Sequence, residues 1–493
     1  MATLLFTPER SSAQLSYSAE SMALGGGGTA YLTGFEALFV NPANLFIQEK
    51  NYSYQFSFLQ TGYYFDSLQN TPGIQSRFNQ YTDLLSPYHT DLNLAVTDRE
   101  DLVDRSFNEN RSSAEFLNQT ELNWFGLKWV RPNRSYAVAA RTRIGSRYRL
   151  GKGLYSAIPL DRNDSFLINQ SFTHRYQVLH EISFGYAESF TFLNGLTPQL
   201  SEFIVGIAPK IILPGGYLDV QYRNRYQLDN QTGFWENETA FKQRSAGVLT
   251  DRAENFFFPQ INPENPEYGL RDLMRPTGIG FGLDAGITYL ITFSDDLSVL
   301  RQENDLTEKS LRISLSVADI GLVHYTNSPF EYEIDQQTTE ESQTGPVSDI
   351  LFQGAPNEHY SFLADYFNPA IFQSFTVREQ SIEAFLPTSV QAGALFQYNR
   401  LKLMGDISYT ITDNAFKPTG FMGFAGVEIR PLSFFPLRAG TRVAQALPGY
   451  ISFGGGIETD RFDIQAAFQL KSRRGGPTSE ILGASVIGLK LYM

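Results

Sequence analysis

The stretch from Arg461 to Lys471, RFDIQAAFQLK, decides the fold class. Its apolar residues occupy every second position: Phe462, Ile464, Ala466, Phe468 and Leu470. The positions between them are mostly charged or amide side chains. Because successive side chains of a strand point to opposite sides, this segment predicts a strand with one apolar and one polar face. Such a strand suits the wall of a transmembrane β-barrel, which meets lipid outside and a polar interior inside.

The same alternation recurs along the chain and is clear again in Leu401–Thr410. The fold class predicted is all-β: a transmembrane β-barrel of about 14 antiparallel strands, with a short N-terminal lumenal plug and long extracellular loops. The predicted strands begin near Asn51, Leu122, Ser135, Phe172, Glu202, Gly278, Ser310, Thr388, Leu401, Gly420, Phe434, Tyr450, Arg461 and Ile481.

The connections between these strands alternate between short and long. The long ones are polar and span residues 66–119, 214–277 and 321–386. Bacterial barrels have short periplasmic turns and long external loops, so the pattern places both termini on the periplasmic side of the outer membrane. Tyr217–Tyr226 could form a further strand, but we assign it to the second long loop.

Composition narrows the function classes. No segment approaches 18 consecutive apolar residues, which argues against a helical membrane protein. A mean hydropathy of −0.24 still suits a barrel, because half of each strand faces water. The net charge of −13 argues against nucleic acid as a partner, and the absence of cysteine removes disulfides and thiolate chemistry.

Catalytic and cofactor motifs are absent from the sequence. The histidines form no H-E-x-x-H pattern, and there is no G-x-S-x-G element, so we predict neither an enzyme nor a cofactor or metal protein. Minor alternatives are a lipase-like role for His324 and a calcium site in the acidic loops. A soluble protein of several β-sandwiches is a third possibility, which would require the apolar strand faces to pack against one another.

The predicted inner face of the barrel is charged with both signs. On the third strand Arg141, Arg143, Arg147 and Arg149 share one face. Further charges with the inward parity are Lys128, Arg312, Lys402, Arg438, Arg442, Lys490, Asp284, Asp406, Glu428, Glu458 and Asp463. On the lipid face each would cost roughly 2–4 kcal/mol at the midplane. The network either fills and rigidifies the lumen or forms a polar, anion-selective constriction beside the arginine row.

The N-terminal region divides into two predicted parts before the barrel at 51–493. Residues 1–14 resemble the end of a signal peptide, with cleavage before Gln14 and a start codon lying inside the signal. Residues 15–50 form the predicted plug. They contain a run of four glycines, Gly25–Gly28, but no Gly-Lys-Ser/Thr ending, which disfavours a phosphate-binding loop.

Two motifs in this region resemble a known signature. Gly25-Gly26-x-x-Thr29-Ala30 is followed by Ala37-Leu38-x-x-Asn41-Pro42-Ala43-x-Leu45, which is similar to the N-terminal signature of the FadL superfamily. That group comprises long-chain fatty-acid transporters and the PorV-type shuttle proteins of type IX secretion. Similar elements follow at 317–321, 386–388, 437–440 and 452–456, as in a poorly characterised branch of these barrels.

The resemblance implies a fourteen-stranded barrel whose N-terminal segment plugs the lumen. It implies plug or ligand roles for Gly25, Gly26, Thr29, Asn41, Pro42 and Ala43. The leading hypothesis is a transporter of a small hydrophobic or amphipathic ligand, opened by a shift of the plug. The alternative is an accessory barrel that binds a secretion-system or surface protein. The expected partners are outer-membrane lipids and either that ligand or that protein.

Overall fold

The computed structural model describes residues 18–50, 52–67, 113–155, 167–190, 200–228, 235–250, 269–293, 308–342, 376–444, 450–471 and 480–493. Its strands are β1 (Tyr54–Ser67), β2 (Ser113–Arg131), β3 (Arg134–Gly151), β4 (Leu167–Phe190), β5 (Leu200–Leu228), β6 (Trp235–Ala246), β7 (Gly278–Thr292), β8 (Lys309–Tyr325), β9 (Phe330–Ser342), β10 (Thr376–Arg378), β11 (Ile382–Phe385), β12 (Ser389–Tyr398), β13 (Leu401–Thr410), β14 (Gly420–Leu432), β15 (Phe435–Ala444), β16 (Tyr450–Glu458), β17 (Phe462–Lys471) and β18 (Glu480–Tyr492).

The helices are short. They are α1 (Ala19–Ala23) and α2 (Leu270–Leu273), with 3-10 turns at Phe35–Phe39, Pro42–Phe46 and Lys152–Tyr155. Across the ranges described above, no helix has the length and apolarity needed to cross a membrane.

Fourteen of the strands close into one antiparallel barrel, as predicted. The pairings run β1-β2-β3-β4-β5-β7-β8-β12 and then in chain order to β18. β18 returns to β1, with Gln55 opposite Tyr492, so the ring has no open edge. A closed ladder satisfies every wall strand's backbone groups within the sheet, which a membrane requires. Two stacked sheets with a dry interior, the sandwich alternative, are therefore excluded.

The alternation in the sequence becomes the inside and outside of the wall. On β17, Ile464 and Phe468 are 49% and 43% exposed, whereas their polar neighbours Asp463, Gln465 and Gln469 are buried. On β13, Ile407 is 60% exposed and its neighbour Asp406 only 4%. The outer surface is thus an apolar band, and the predicted inner charges do point inward.

The wall is much taller along β2–β5 than the sequence predicted. The second half of β5 pairs with β4 on one side and with β6 on the other, so Tyr217–Tyr226 is strand and not loop. β9 then pairs with β6, and β10 with β9. These segments were predicted as loop because they lie in long stretches that are polar and rich in Asn, Asp, Pro and Gln. They nevertheless carry the alternation of a strand, with Leu218, Val220 and Tyr222 in β5 and Phe330, Tyr332 and Ile334 in β9, and all six side chains are buried.

Parts of the other two predicted loops are also strand, at 113–119, 321–325, 330–342, 376–378 and 382–385. β2 therefore begins at Ser113 and not near Leu122. The remaining loop residues, at 68–112, 229–234, 251–268 and 343–375, lie outside the described residues, as does the predicted signal remnant 1–14.

Residues 18–50, called the inner segment below, lie inside the barrel and are almost entirely buried. The Ser18 hydroxyl accepts a hydrogen bond from Ser21 N at 3.1 Å and caps α1. Asn41 caps the turn at Pro42–Phe46, with Pro42 in its first position, where a missing N–H costs nothing. α1 packs on β15–β18, and the Pro42–Phe46 turn packs on β3, β4, β5 and β7, so the segment crosses the lumen.

Candidate functional site

The wall accepts the inner segment because it carries glycine where the two touch. A Cβ on Gly206 would lie 2.2 Å from Ala43 N, and one on Gly286 would lie 2.0 Å from Asn41 Oδ1. On the opposite wall, a Cβ on Gly440 would lie 2.2 Å from the carbonyl carbon of Leu24. These contacts are closer than any side chain allows, so the wall backbone packs directly on the backbone of the inner segment at Gly206 and Gly440 and on the Asn41 side chain at Gly286.

Asn41 ties the inner segment to β7. Its Nδ2 donates to Thr29 O at 3.0 Å and to Thr288 Oγ1 at 2.9 Å, and its Oδ1 accepts from Ala43 N at 3.2 Å. Thr288 Oγ1 in turn donates to Asn44 Oδ1 at 2.7 Å. The structure therefore brings together Thr29, Asn41, Pro42 and Ala43, four of the six residues that the sequence singled out in this segment.

The glycine run forms a turn around a wall carboxylate. Gly25 and Gly26 have φ of 89° and 102°, the left-handed region that favours glycine. After this turn the N–H groups of Gly28 and Thr29 both donate to Asp406 Oδ2, the latter at 3.0 Å. The run thus anchors backbone amides on a side chain of the barrel wall and holds no phosphate-loop geometry.

Ion pairs hold the inner segment at the end of the barrel that carries the short turns. Glu49 lies 2.5 Å from Lys402 and 2.9 Å from Arg312, and Lys490 lies 2.7 Å from Glu20 and 2.9 Å from Glu36. Burial alone would raise the pKa of the Glu49 carboxyl, but Lys402 and Arg312 lower that pKa to about 2. The inner segment is therefore docked at this end by charge as well as by packing.

A second cluster, called the central cluster, lies on five consecutive strands of the barrel wall, β3, β4, β5, β7 and β8. Its members are Arg141, Arg143, Glu181, Lys210, Asp284 and Asp319. Arg143 donates to both oxygens of Asp319, at 3.0 and 3.2 Å, and Lys210 reaches Asp319 at 2.5 Å and Asp284 at 2.8 Å. Two of the four arginines predicted to line an anion path, Arg141 and Arg143, are thus paired with carboxylates.

Three members of this cluster, Glu181, Lys210 and Asp319, were not predicted from the sequence. Asp319 has φ of +58° and sits where the β8 ladder is interrupted, beside Gly321 with φ of +152°. The Asp319-Ile320-Gly321 element was noted only as a resemblance, yet a short polar residue before a glycine inside a strand pattern indicates such an interruption.

Residues 411–419, called the inner loop, fold into the lumen from the other end. They join β13 to β14, and Ala415, Phe416 and Lys417 are all buried. Gln119 Nε2 donates to Phe416 O, and the Phe416 ring lies 5.1 Å from the Arg143 guanidinium. Burial lowers the pKa of Lys417 to about 8, although Asp319 opposes this. The lumen is therefore occupied from both ends, a feature that strand periodicity could not reveal.

Four consecutive strands carry charges directly opposite one another above the inner loop. Arg147 faces Arg175, Arg175 faces Asp219, and Asp219 faces Arg244 in the ladders from β3 to β6. We call this row the charged rung. Asp413 of the inner loop forms ion pairs with both Arg147 and Arg175. Burial would raise the pKa of the Asp413 carboxyl, but these two arginines hold it below its ordinary value.

A cavity of about 330 Å³ lies between the charged rung and the inner loop. Arg175, Asp219 and Arg244 line its polar side, and Tyr217, Leu218, Ala384 and Phe385 contribute its apolar lining, with Asp413 and Asn414 at the inner loop. Tyr217 stacks on Tyr325 with ring centroids 4.5 Å apart. The cavity thus combines an apolar wall with charged groups of both signs, the pattern of a small-molecule site.

Of the predicted arginine row, Arg149 lies one step beyond the charged rung, opposite Glu115 and Thr173. Throughout the described ranges, no cluster of three or more histidine, cysteine, aspartate and glutamate side chains is arranged to hold a metal ion. The candidate site is therefore the cavity, the charged rung and the inner loop beneath it.

A family model matches residues 67–453, which include most of the barrel and the whole cavity. The chain belongs to DUF5723, a family of unknown function. No curated protein matches the sequence. Among solved structures, this DUF5723 barrel is similar to the toluene transporter TbuX of Ralstonia pickettii, at 12% identity and a TM-score of 0.41 over 97% of this chain and 99% of that one.

Two further structures are of the same kind. The toluene transporter TodX of Pseudomonas putida matches at 13% identity and a TM-score of 0.41, over 97% of this chain and 99% of that one. A FadL homologue of Pseudomonas aeruginosa matches at 9% identity and a TM-score of 0.39, over 98% and 96%. At these identities the likeness concerns the barrel fold alone.

Proposed function

We propose that this DUF5723 protein is an outer-membrane channel for a small hydrophobic or amphipathic ligand. The inner segment closes its lumen near the short turns, and the inner loop closes it near the long connections. The observation that carries the proposal is the cavity of about 330 Å³ above Asp413, whose size suits a small organic molecule. The long-connection end then faces the exterior, as the asymmetry of loop length favours.

The lining of the cavity supports an amphipathic ligand. Tyr217 and Phe385 offer apolar surface, while Arg175, Arg244 and Asp219 offer charge on the other side. A purely apolar ligand would gain nothing from these charges, and a fully hydrated ion would gain nothing from the rings. A molecule with one apolar and one polar end satisfies both walls.

The manner in which the inner segment is held supports its role as a gate. Its polar contacts with the wall are hydrogen bonds at Asn41 and ion pairs at Glu49, and its apolar contacts include packing of Phe35 and Leu38 against alanines of the wall. The polar contacts can exchange for water when the segment moves, and the apolar surface then left on both sides suits a ligand with an apolar part. The Asn41–Ala43 element is the part proposed to move.

The proposal is tested by flux into liposomes. Hexanesulfonate and hexyltrimethylammonium carry permanent charges and cross lipid slowly, so both report passage through the protein. Influx of at least one, several-fold above protein-free liposomes, is expected. Influx of neither, from protein shown to be folded by its resistance to unfolding in detergent, would overturn the channel.

A docking role is the second candidate, favoured by one observation. The lumen is occupied from both ends, while β5, β6, β9 and β10 extend beyond the barrel as a sheet on which a protein could bind. Purification from native membranes separates the two: a stoichiometric protein partner and no flux would favour docking, and flux without such a partner would favour transport.

A further inference from the structure

We propose that Arg147 and Arg175 form a carboxylate-binding site, that Asp413 occupies it in the closed protein, and that a ligand carboxylate displaces Asp413 and releases the inner loop. This inference deepens the proposed channel function and rests on it for the arrival of the ligand. It assigns the ligand a chemical class, a small amphipathic carboxylate, and makes the ligand the agent that opens one end of the lumen.

The proposed site contains two positive charges that repel each other. Arg147 and Arg175 stand directly opposite each other on the inner face of β3 and β4. Like charges at directly opposed ladder positions repel, and Arg147 is only 6% exposed, so water screens the repulsion poorly. Such a pair persists only with a negative group between its members.

Asp413 is that group. One of its carboxylate oxygens pairs with Arg147 Nη1 and the other with Arg175 Nη1. The two guanidiniums therefore converge on one carboxylate, which is the geometry by which arginine binds planar anions. Because Asp413 belongs to the inner loop and not to the wall, a free carboxylate can take its place without any change in the barrel.

The neighbouring charges leave room for one exchangeable anion. Arg147 also pairs through Nε with Glu115, and Arg175 through Nε with Asp219 at 3.3 Å, while Asp219 is shared with Arg244 at 2.8 Å. Three arginines thus meet two fixed carboxylates, so the rung keeps one excess positive charge when Asp413 departs. A ligand with a single carboxylate restores neutrality, which a neutral ligand cannot do.

The site is reachable from the cavity. Arg175, Asp219, Arg244 and Asp413 all line it, and the Asp413 side chain is 30% exposed. With its carboxylate at the rung, the apolar part of a ligand lies against Tyr217 and neighbouring apolar residues. The volume of about 330 Å³ restricts that part to a short chain or a single ring.

Exchange at this site acts on the inner loop because Asp413 lies in the same short segment as Ala415, Phe416 and Lys417. Displacing Asp413 removes the two ion pairs that hold the loop to the charged rung. The loop then keeps its uncharged attachments, the bond from Gln119 to Phe416 O and the packing of Phe416 beside Tyr217, and these must give way for it to leave. Ala415, now 3% exposed, becomes accessible when the loop leaves.

Two measurements test whether a ligand carboxylate competes with Asp413. They are the affinity of the ligand and the rate at which the inner loop is labelled. Hexanoate and hexanamide match in size and differ in charge. In wild type, calorimetry should show hexanoate binding at least tenfold tighter than hexanamide. Asp413→Asn removes the internal competitor, so it should bind hexanoate at least tenfold tighter than wild type does. In the Asp413→Asn background, Arg175→Gln should abolish that gain, whereas the exposed turn variant Arg461→Gln should keep it.

Loop release is read by maleimide labelling of Ala415→Cys, because the chain has no other cysteine. Hexanoate should raise the labelling rate at least tenfold and hexanamide should not, while Asp413→Asn should label fast without ligand. Equal affinities for hexanoate in wild type and Asp413→Asn would overturn the proposal, as would labelling that ignores hexanoate. Neither readout depends on flux, so this inference and the channel itself can fail separately.

Discussion

The Asp319 carboxylate accepts two hydrogen bonds from the Arg143 guanidinium, Nη1 to Oδ2 at 3.0 Å and Nη2 to Oδ1 at 3.2 Å. The two residues lie on separate wall strands, β8 and β3, and Lys210 joins them from β5. Asp319 takes a left-handed backbone conformation to reach this position. The centre of the lumen is therefore bridged by side chains of the wall itself.

Removing the charge of Asp319 should destabilise the barrel. Asp319→Asn leaves Arg143 and Lys210 buried with fewer negative partners, and breaking a buried ion pair from one side costs about 3–5 kcal/mol. The free energy of unfolding in detergent and urea should fall by about that amount. Asp460→Asn, a charge-neutralising control in an exposed turn, should stay within about 0.5 kcal/mol of wild type. Equal stability of the two variants would show that the ion pairs of Asp319 contribute nothing to the free energy of unfolding.

The close packing of the inner segment on glycines of the wall predicts different effects for two alanine substitutions. A Cβ at Gly206 would meet the backbone of Pro42 and Ala43 at 2.2–2.5 Å, whereas a Cβ at Gly405 meets nothing within 4 Å. In an Ala23→Cys background, Gly206→Ala should speed maleimide labelling of the buried cysteine at least tenfold. Gly405→Ala should leave the rate unchanged. If both variants behave alike, the packing of residues 42 and 43 on β5 is not what holds the segment.

Acid should release the end of the inner segment at Glu49 only at very low pH. The pKa of Glu49 is lowered to about 2 in the docked state, so its pairs with Lys402 and Arg312 stabilise docking above the ordinary carboxyl pKa. That contribution is lost as pH falls from about 4.5 through 2. The readout is modification of Ala23→Cys by 4,4′-dithiodipyridine, which still reacts in acid, with each rate divided by that of free cysteine at the same pH. This ratio should stay low at pH 4 and rise towards pH 2. In Glu49→Gln the ratio should be constant across this range, and a matching rise in Glu49→Gln would refute the assignment.

A charged side chain on the outer face of β13 should destabilise the barrel by an amount that depends on its depth in the membrane. Ile407 is 60% exposed on the apolar band, and Ile411 is 50% exposed just past the end of the strand. Lysine near the midplane costs about 2–4 kcal/mol and near the interface about 0–1 kcal/mol. Ile407→Lys should therefore lower the free energy of unfolding in lipid vesicles far more than Ile411→Lys. Equal losses would mean that this face does not meet lipid.

The period-two pattern predicted the barrel well because lipid and lumen impose opposite demands on alternate residues. Leu401, Gly420 and Tyr450 begin strands where the alternation begins. The second half of β5 was assigned to loop although Leu218, Val220 and Tyr222 alternate there, because the segment lies within a long polar stretch. Ladder pairing with β4 and β6, a property of distant segments, decided its structure.

The site was less visible in the sequence than the fold. The inward parity of Arg143 and Arg147 could be read from β3 alone, but their partners Asp319 and Asp413 come from residues far along the chain. Asp413 sits in a connection between strands, where alternation gives no information. Only the register of the ladders shows that Arg147 and Arg175 face each other and need an anion between them.

The central claim is that the inner segment and the inner loop close one path, and a reversible tether tests it most directly. Ala23 and Ala467 belong to one buried cluster, and their Cβ atoms lie 2.5 and 3.1 Å from the position that a Cβ on Gly454 would take. Cysteines at 23 and 467 are thus neighbours that a disulfide, or a short reducible bis-thiosulfonate cross-linker, can join. In Asp413→Asn, single-channel current should be absent while the tether is oxidised and should appear as intermittent openings after reduction. Identical records in the two states, whether conducting or silent, would contradict the account.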